Sequence, residues 1–203
     1  MKLRTLLGSA VVVLALAAPA VAQEVIGEEH WVEHEGIRLY VWEKYVGSPG
    51  GKEAVVLAHG SATSGRESFD LRVPGKPSYS LMDLLAREGF NVFALDTRGF
   101  GRSTHPEGHM TTQEASEDLN AVVDYILELR GVETVNLLGW SWGTQYGGMF
   151  IMAYPEKVDK YVSYAQMHLA ARTSLSGGRG CRSSGKTRTS KYPKRAGSPA
   201  STP

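Results

Sequence analysis

Residues 137–145 read LLGWSWGTQ, the end of an apolar run followed by Gly139-Trp140-Ser141-Trp142-Gly143. A serine with a glycine two positions to either side, after an apolar run and ahead of a helix-forming segment, predicts a sharp turn from a buried strand into a helix. Such a turn strains the serine backbone and lifts its hydroxyl above the carboxyl end of the strand. Gly139 and Gly143 are then required, because a side chain at either position would collide with a neighbouring strand or helix. Ser141 is a candidate nucleophile, and the question it raises is which residue takes its proton.

Outward from this stretch the chain alternates. EAVVLAHG (53–60) and FNVFALD (90–96) are short apolar runs ending in polar or glycine residues, the pattern of parallel strands buried on both faces. Between them SLMDLLAREG (80–89) predicts a helix stopped by Gly89. A longer helix is predicted from about Gln113 to Arg130, with Ala115, Leu119, Val122, Val123, Ile126 and Leu127 on one stripe and a capping box from Thr111 and Glu114. TVNLLGW (134–140) is the strand leading to Ser141, and KVDKYVSYA (157–165) is one more. Upstream, EHWVEHEG and IRLYVWEKYV form two strands joined at Gly36, with Ile37, Leu39 and Val41 of the second sharing a face. Strand and helix in this rhythm give an α/β fold, a mostly parallel sheet with crossover helices.

The sites of such sheets lie at the carboxyl ends of the strands. HGSATSG (59–65) follows the first buried strand, and its backbone N–H groups at Ser61 or Ala62 can join that of Trp142 in stabilising an oxyanion. His59 and Gly60 read as structural: the histidine sits at a strand end, held by hydrogen bonds to the loop. DTRGFGRS (96–103) follows the second buried strand, where Asp96 and Arg98 tie down a tight, glycine-containing loop. It lacks the spacing and the Gly-Lys-Ser/Thr of a phosphate cradle.

VVLAHG, DTRGFGRS and LLGWSWG, in this order and spacing, resemble the α/β-hydrolase fold superfamily over residues 28 to about 168. Within it Gly-Trp-Ser-Trp-Gly-Thr is most similar to the serine hydrolases of the esterase, lipase and proline-iminopeptidase type. The serine separates the chain from dehalogenases and epoxide hydrolases, which carry aspartate there. The resemblance implies Ser141 as nucleophile, the Ser61 and Trp142 amides as oxyanion hole, and an acyl-enzyme formed on a small ester or amide substrate. It implies no metal and no organic cofactor. A non-catalytic module of the same fold, binding small carbonyl ligands, is the alternative.

That family places an acid and then a histidine after the serine. Downstream of Ser141 the only acidic residues are Glu156 and Asp159, predicted at the amino end of the last strand, and the only histidine is His168. His168 follows the carboxyl end of that strand, where the family usually enters the lid over its pocket. No residue in the chain is a convincing base.

The termini differ from this body. Lys2 and Arg4, an apolar stretch from Leu6 to Ala18 and the small-residue site AVA before Gln23 predict a signal peptide over residues 1–22, and a periplasmic or secreted product. The apolar stretch is shorter than the ~20 residues of a membrane span, so no stable membrane insertion is expected after cleavage. Residues 23–168 form the predicted core, the front half of the fold. Residues 169–203 hold eight Lys/Arg and no Asp or Glu, against 14 basic and 21 acidic residues in the remainder. The net charge of +1 and the acidic body argue against a nucleic-acid partner. The basic, Gly/Ser-rich tail reads either as a disordered segment for an anionic partner or as a frameshifted translation, since KTRTSKYPKRAG is compatible with a frame one base out of phase. Cys181 is the only cysteine, so no disulfide framework exists within the chain.

Overall fold

Glu35 and Gly36 both take positive φ, 50° and 77°, the backbone of a tight two-residue hairpin, and they fold β1 (Val25–His34) back on β2 (Ile37–Val46). The computed structural model describes residues 24–167. The expected signal peptide, His168 and the basic tail lie outside the described residues. β2 does not stay at an edge: it pairs antiparallel with β4 (Asn91–Asp96), reached after β3 (Ala54–Ala58). β2 is paired along both edges, and both of its faces are covered by apolar clusters. Ile37, Leu39 and Val41 face one cluster and Tyr40 and Trp42 the other, while Glu43 and Lys44 are both fully buried.

β3 pairs parallel with β4 on one side and with β5 (Val135–Trp140) on the other, and β5 pairs parallel with β6 (Val158–Tyr164). The sheet order is β1-β2-β4-β3-β5-β6. Two short elements that sequence periodicity does not reveal, α1 (Gly65–Phe69) and a 3₁₀ turn at Pro77–Tyr79, precede α2 (Leu81–Arg87) between β3 and β4. The Ser80 side chain caps α2 by accepting from Asp83 N. α3 (Thr112–Arg130) carries the expected reciprocal capping box of Thr111 and Glu114, and α4 (Gly143–Ala153) follows β5.

The two faces of the sheet bury separate apolar clusters. Val56, Phe93 and Leu137 pack with Ala115, Leu119, Val122, Val123 and Ile126 of α3 and Tyr146 and Phe150 of α4. On the other face, Leu57, Val92 and Ala94 pack with Phe69 of α1 and Met82 and Ala86 of α2. Helices on both faces of a mostly parallel sheet are the expected α/β architecture. Among the described residues β6 is an edge strand, and its Tyr161, Val162 and Tyr164 are exposed. No helix among them is long and apolar enough to cross a membrane.

Charge is buried beside the apolar clusters and is paired, as burial demands. Lys44 Nζ donates to Asp70 Oδ1 at 2.7 Å and also to Asp83, while Trp42 Nε1 and Ser80 Oγ donate to Asp70 at 2.9 and 2.6 Å. Burial pushes the Asp70 carboxyl up, but these hydrogen bonds outweigh it and hold the group below its ordinary range. Glu43 accepts from Arg130 through both oxygens and pairs with His30 Nε2 at 2.9 Å.

Candidate active site

Parallel pairing brings the ends of β3, β4 and β5 to one edge of the sheet, with His59, Asp96 and Ser141 just past or at them. Ser141 has φ +54°, the left-handed region that a non-glycine residue enters only at a cost. Its N–H donates to the Tyr164 carbonyl at 3.0 Å, and its own carbonyl accepts from Thr144 N and Oγ1 at 2.9 and 2.6 Å. These bonds hold the turn from both sides. A Cβ on Gly139 would stand 2.6 Å from the Gly143 carbonyl oxygen, and one on Gly143 would be driven into that of Ala58. Both glycines are therefore obligatory, for the steric reason the sequence suggested.

Gly60 lies against the serine, since a Cβ there would be 3.3 Å from Ser141 Cβ. This places Ser61, the next residue, beside the elbow together with Trp142. Among the described residues neither the Ser61 nor the Trp142 amide donates to a protein acceptor. His59 is fully buried and acts on this loop rather than on the serine. Its Nε2 accepts from Thr97 N at 3.3 Å, which puts the proton on Nδ1, and Nδ1 donates to the Gly60 carbonyl at 2.7 Å. Burial depresses its pKa to about 4, against hydrogen bonding to Gly60, so the ring is neutral at pH 7. With both nitrogens committed, His59 holds the turn that carries Gly60 and Ser61.

Asp96 and Arg98 do tie down their loop, but through different partners. Asp96 accepts from Gly65 N at 2.8 Å and Arg102 N at 2.9 Å, linking the ends of β3 and β4. Burial raises its pKa and these backbone donors oppose the rise. Arg98 instead forks onto Asp118 of α3, at 2.6 Å from Nη2 and 3.0 Å from Nε, and this hydrogen bonding raises its pKa further. Asp118 was not singled out from sequence. The available signal was a carboxylate inside the apolar stripe of α3, between Ala115 and Val122.

Ser141 Oγ meets no base among the described residues; its partner is Met167 Sδ at 3.4 Å. Glu156 and Asp159 stand where expected, in the 3₁₀ turn before β6 and at its second residue, the end of the sheet opposite Ser141. Glu28, His30 and Glu43 bring ligand atoms within 4.8 Å of one another, but the Arg130 guanidinium already matches the Glu43 charge.

Two cavities border the elbow, one on each side of the Trp-Ser-Trp triplet. Ser68, Phe69, Leu81, Leu138, Trp140, Val162 and Tyr164 line an apolar groove of ≈ 440 Å³ along β5 and β6. The other, ≈ 410 Å³, is lined by Ser61, Trp142 and residues of the loop after β4 that sequence reasoning left unassigned, among them Phe100, His109 and Met110.

Sheet, crossover helices and strained serine elbow together define an α/β hydrolase. Comparison with known proteins agrees: the family described as "alpha/beta hydrolase fold" matches residues 53–176, more than half of the chain, and the chain belongs to that family. It is 34% identical over 115 residues to a 2-hydroxy-6-oxononadienedioate/2-hydroxy-6-oxononatrienedioate hydrolase of Paraburkholderia phymatum, a match covering 55% of this chain and 35% of that protein. The corresponding hydrolase of Burkholderia vietnamiensis is 31% identical over 134 residues, 64% of this chain and 41% of that one. The chain thus spans well under half the length of these curated relatives. Among solved structures, epoxide hydrolase VrEH1 of Vigna radiata superposes with a TM-score of 0.58 at 24% identity, over 73% of this chain and 43% of that one. At that identity the likeness concerns the fold alone.

Proposed function

We propose that this chain carries the nucleophile-bearing part of an exported serine hydrolase that cleaves carboxylic esters or small amides through an acyl-enzyme on Ser141. The observation that carries the reading is the left-handed backbone of Ser141 at the tip of the β5–α4 elbow, beside two amides that meet no protein acceptor among the described residues. In the proposed reaction Ser141 Oγ attacks the substrate carbonyl and its proton passes to a base. The developing oxyanion takes hydrogen bonds from the Ser61 and Trp142 amides, the leaving group departs protonated, and water releases the acyl group. The relatives are named for oxo acids, compounds with a ketone carbonyl, which supports a carbonyl as the electrophile. Export rests on Lys2, Arg4, the apolar stretch and AVA, and an exported product whose intact mass begins at Gln23 is the expected result.

The chain as it stands is proposed to be catalytically silent, because a serine hydroxyl is a weak nucleophile without a base and Ser141 Oγ faces a thioether. The test is p-nitrophenyl acetate turnover by the 203-residue chain, its Ser141→Ala and His168→Ala variants, and a version with the frame restored beyond residue 168. Turnover confined to the restored protein and abolished there by Ser141→Ala is the expected result. Robust turnover by the present chain, lost in both Ser141→Ala and His168→Ala, would make His168 the base and the short chain an enzyme. A restored protein that neither turns over ester nor labels with a fluorophosphonate would return the fold to a carbonyl-binding module.

A further inference from the structure

The loop after β4 has two parts with different work. Its first residues are consumed by structure: Asp96, Arg98 and Ser103 are buried and bonded to backbone or to Asp118. Phe100 packs its ring on His59 with centroids 5.0 Å apart and Met110 packs on the α3-side apolar cluster, yet both also stand with His109, Ser61 and Trp142 around one cavity. One wall is a fixed aromatic surface. The Trp142 indole donates from Nε1 to Thr112 Oγ1 at 3.1 Å and packs edge-on against Tyr146 with centroids 4.8 Å apart. Phe100 lies 5.8 Å from the same indole at 35°. Gly99 and Gly108 contribute backbone without side chains, and among the described residues no Lys, Arg, Asp or Glu lines the space.

Its place beside the elbow is as informative as its lining. Ser61 follows the residue in contact with Ser141 Cβ, and Trp142 follows Ser141 itself, so both residues proposed to supply oxyanion amides also border this cavity. A carbonyl held by those amides has a substituent beside Phe100 and Trp142. Two aromatic side chains and a thioether favour a planar aromatic group. Among the described residues no Lys or Arg stands on this lining to offset the desolvation of a carboxylate, which disfavours a charged group. About 410 Å³ lies at the small end of ligand pockets, sized for one ring and a short polar group.

Resting on the reading of Ser141 as nucleophile, we infer that this cavity is a specificity subsite for an uncharged aromatic group, with Phe100, Met110 and Trp142 as walls and His109 as its hydrogen-bonding end. Equilibrium binding separates this inference from that reading, because an unreactive ligand needs neither the base nor the Ser141 hydroxyl. The 203-residue chain is titrated with benzamide, benzoate and cyclohexanecarboxamide, following tryptophan fluorescence and saturation transfer to the ligand. Benzamide is expected to bind most tightly of the three. Phe100→Ala is expected to weaken it by about two- to tenfold, the usual worth of an aromatic contact. His109→Leu, at an exposed position where folding is not at stake, is expected to weaken it by a similar factor through loss of one hydrogen bond. Ser141→Ala is expected to leave benzamide binding unchanged, whatever becomes of turnover in the frame-restored protein. Benzoate binding as tightly as benzamide, benzamide affinity unmoved in both Phe100→Ala and His109→Leu, or no saturable benzamide binding at all would each overturn the inference.

Discussion

Acidification perturbs this fold through the buried His59. His59 is fully buried, with Nε2 accepting from Thr97 and Nδ1 donating to Gly60, and its pKa falls from 6.5 to about 4. A depressed histidine pKa means that the unfolded chain takes up the proton first. His59 therefore contributes its full stability above pH 6.5 and loses it as pH falls toward 4. At about 1.4 kcal/mol per pKa unit the whole contribution is roughly 3 kcal/mol, of which about 2 kcal/mol is gone by pH 5. That is a substantial part of the ~5–15 kcal/mol that holds a typical domain together. Urea midpoints at pH 7.5 and 5.0 are compared for the chain and for His59→Asn. The variant loses stability at both pH values, but its further loss on acidification should be smaller than the parent's by about 2 kcal/mol. The other histidines are common to both proteins and cancel in the difference. An equal pH decrement in the two proteins would refute the argument, as would a His59 imidazole, assigned by its loss in His59→Asn, that titrates near 6.5 by NMR in the folded chain.

Three further substitutions test other contacts. Gly143→Ala places a Cβ against the Ala58 carbonyl and is expected to cost about 1–3 kcal/mol or more in urea unfolding. Gly148→Ala in the same helix meets open space and is expected to stabilise by up to about 1 kcal/mol; the same sign at both positions would contradict the close-approach argument. Lys44→Ala strands two buried carboxylates and is expected to cost about 3–5 kcal/mol by the same assay, while a loss below about 1 kcal/mol would mean that water or Arg72 replaces the ammonium.

The features legible in the sequence are those whose cause is local. β3 and β4 announce themselves because burial on both faces forces continuous apolar runs, and α3 because Thr111 and Glu114 satisfy its first amides within one turn. The elbow is legible because the residues it demands, Gly139, Ser141 and Gly143, fall within five positions, although the contacts that demand them include the distant Ala58 carbonyl. Partnerships between distant positions are not: Lys44 with Asp70 and Asp83, Glu43 with Arg130 and Arg98 with Asp118 join residues 20 to 87 positions apart. IRLYVWEKYV shows alternation but not the insertion of β2 between β1 and β4, which buries Glu43 and Lys44. α1 is five residues long, too short for a periodic signal, and it rests on Gly65 against the Leu95 carbonyl rather than on an apolar stripe.

The same distinction governs the candidate site. A strained serine, the glycines beside it and the amides around it are fixed by backbone geometry, so they can be recognised in a chain whether or not the reaction can run. A base is fixed by a side chain arriving from elsewhere in the fold. Every buried ionisable group near the strand ends already has another partner: His59 holds Gly60, Asp96 holds Gly65 and Arg102, and Asp118 holds Arg98. Drawing any of them onto Ser141 would leave a buried loop donor or acceptor unpaired, at about 1–3 kcal/mol for each neutral group and more for a charged one. On the proposed reading of Ser141 as nucleophile, its proton acceptor comes from outside this set of residues, so a chain read in the other frame beyond residue 168, rather than a further substitution within residues 24–167, is the test of the chemistry.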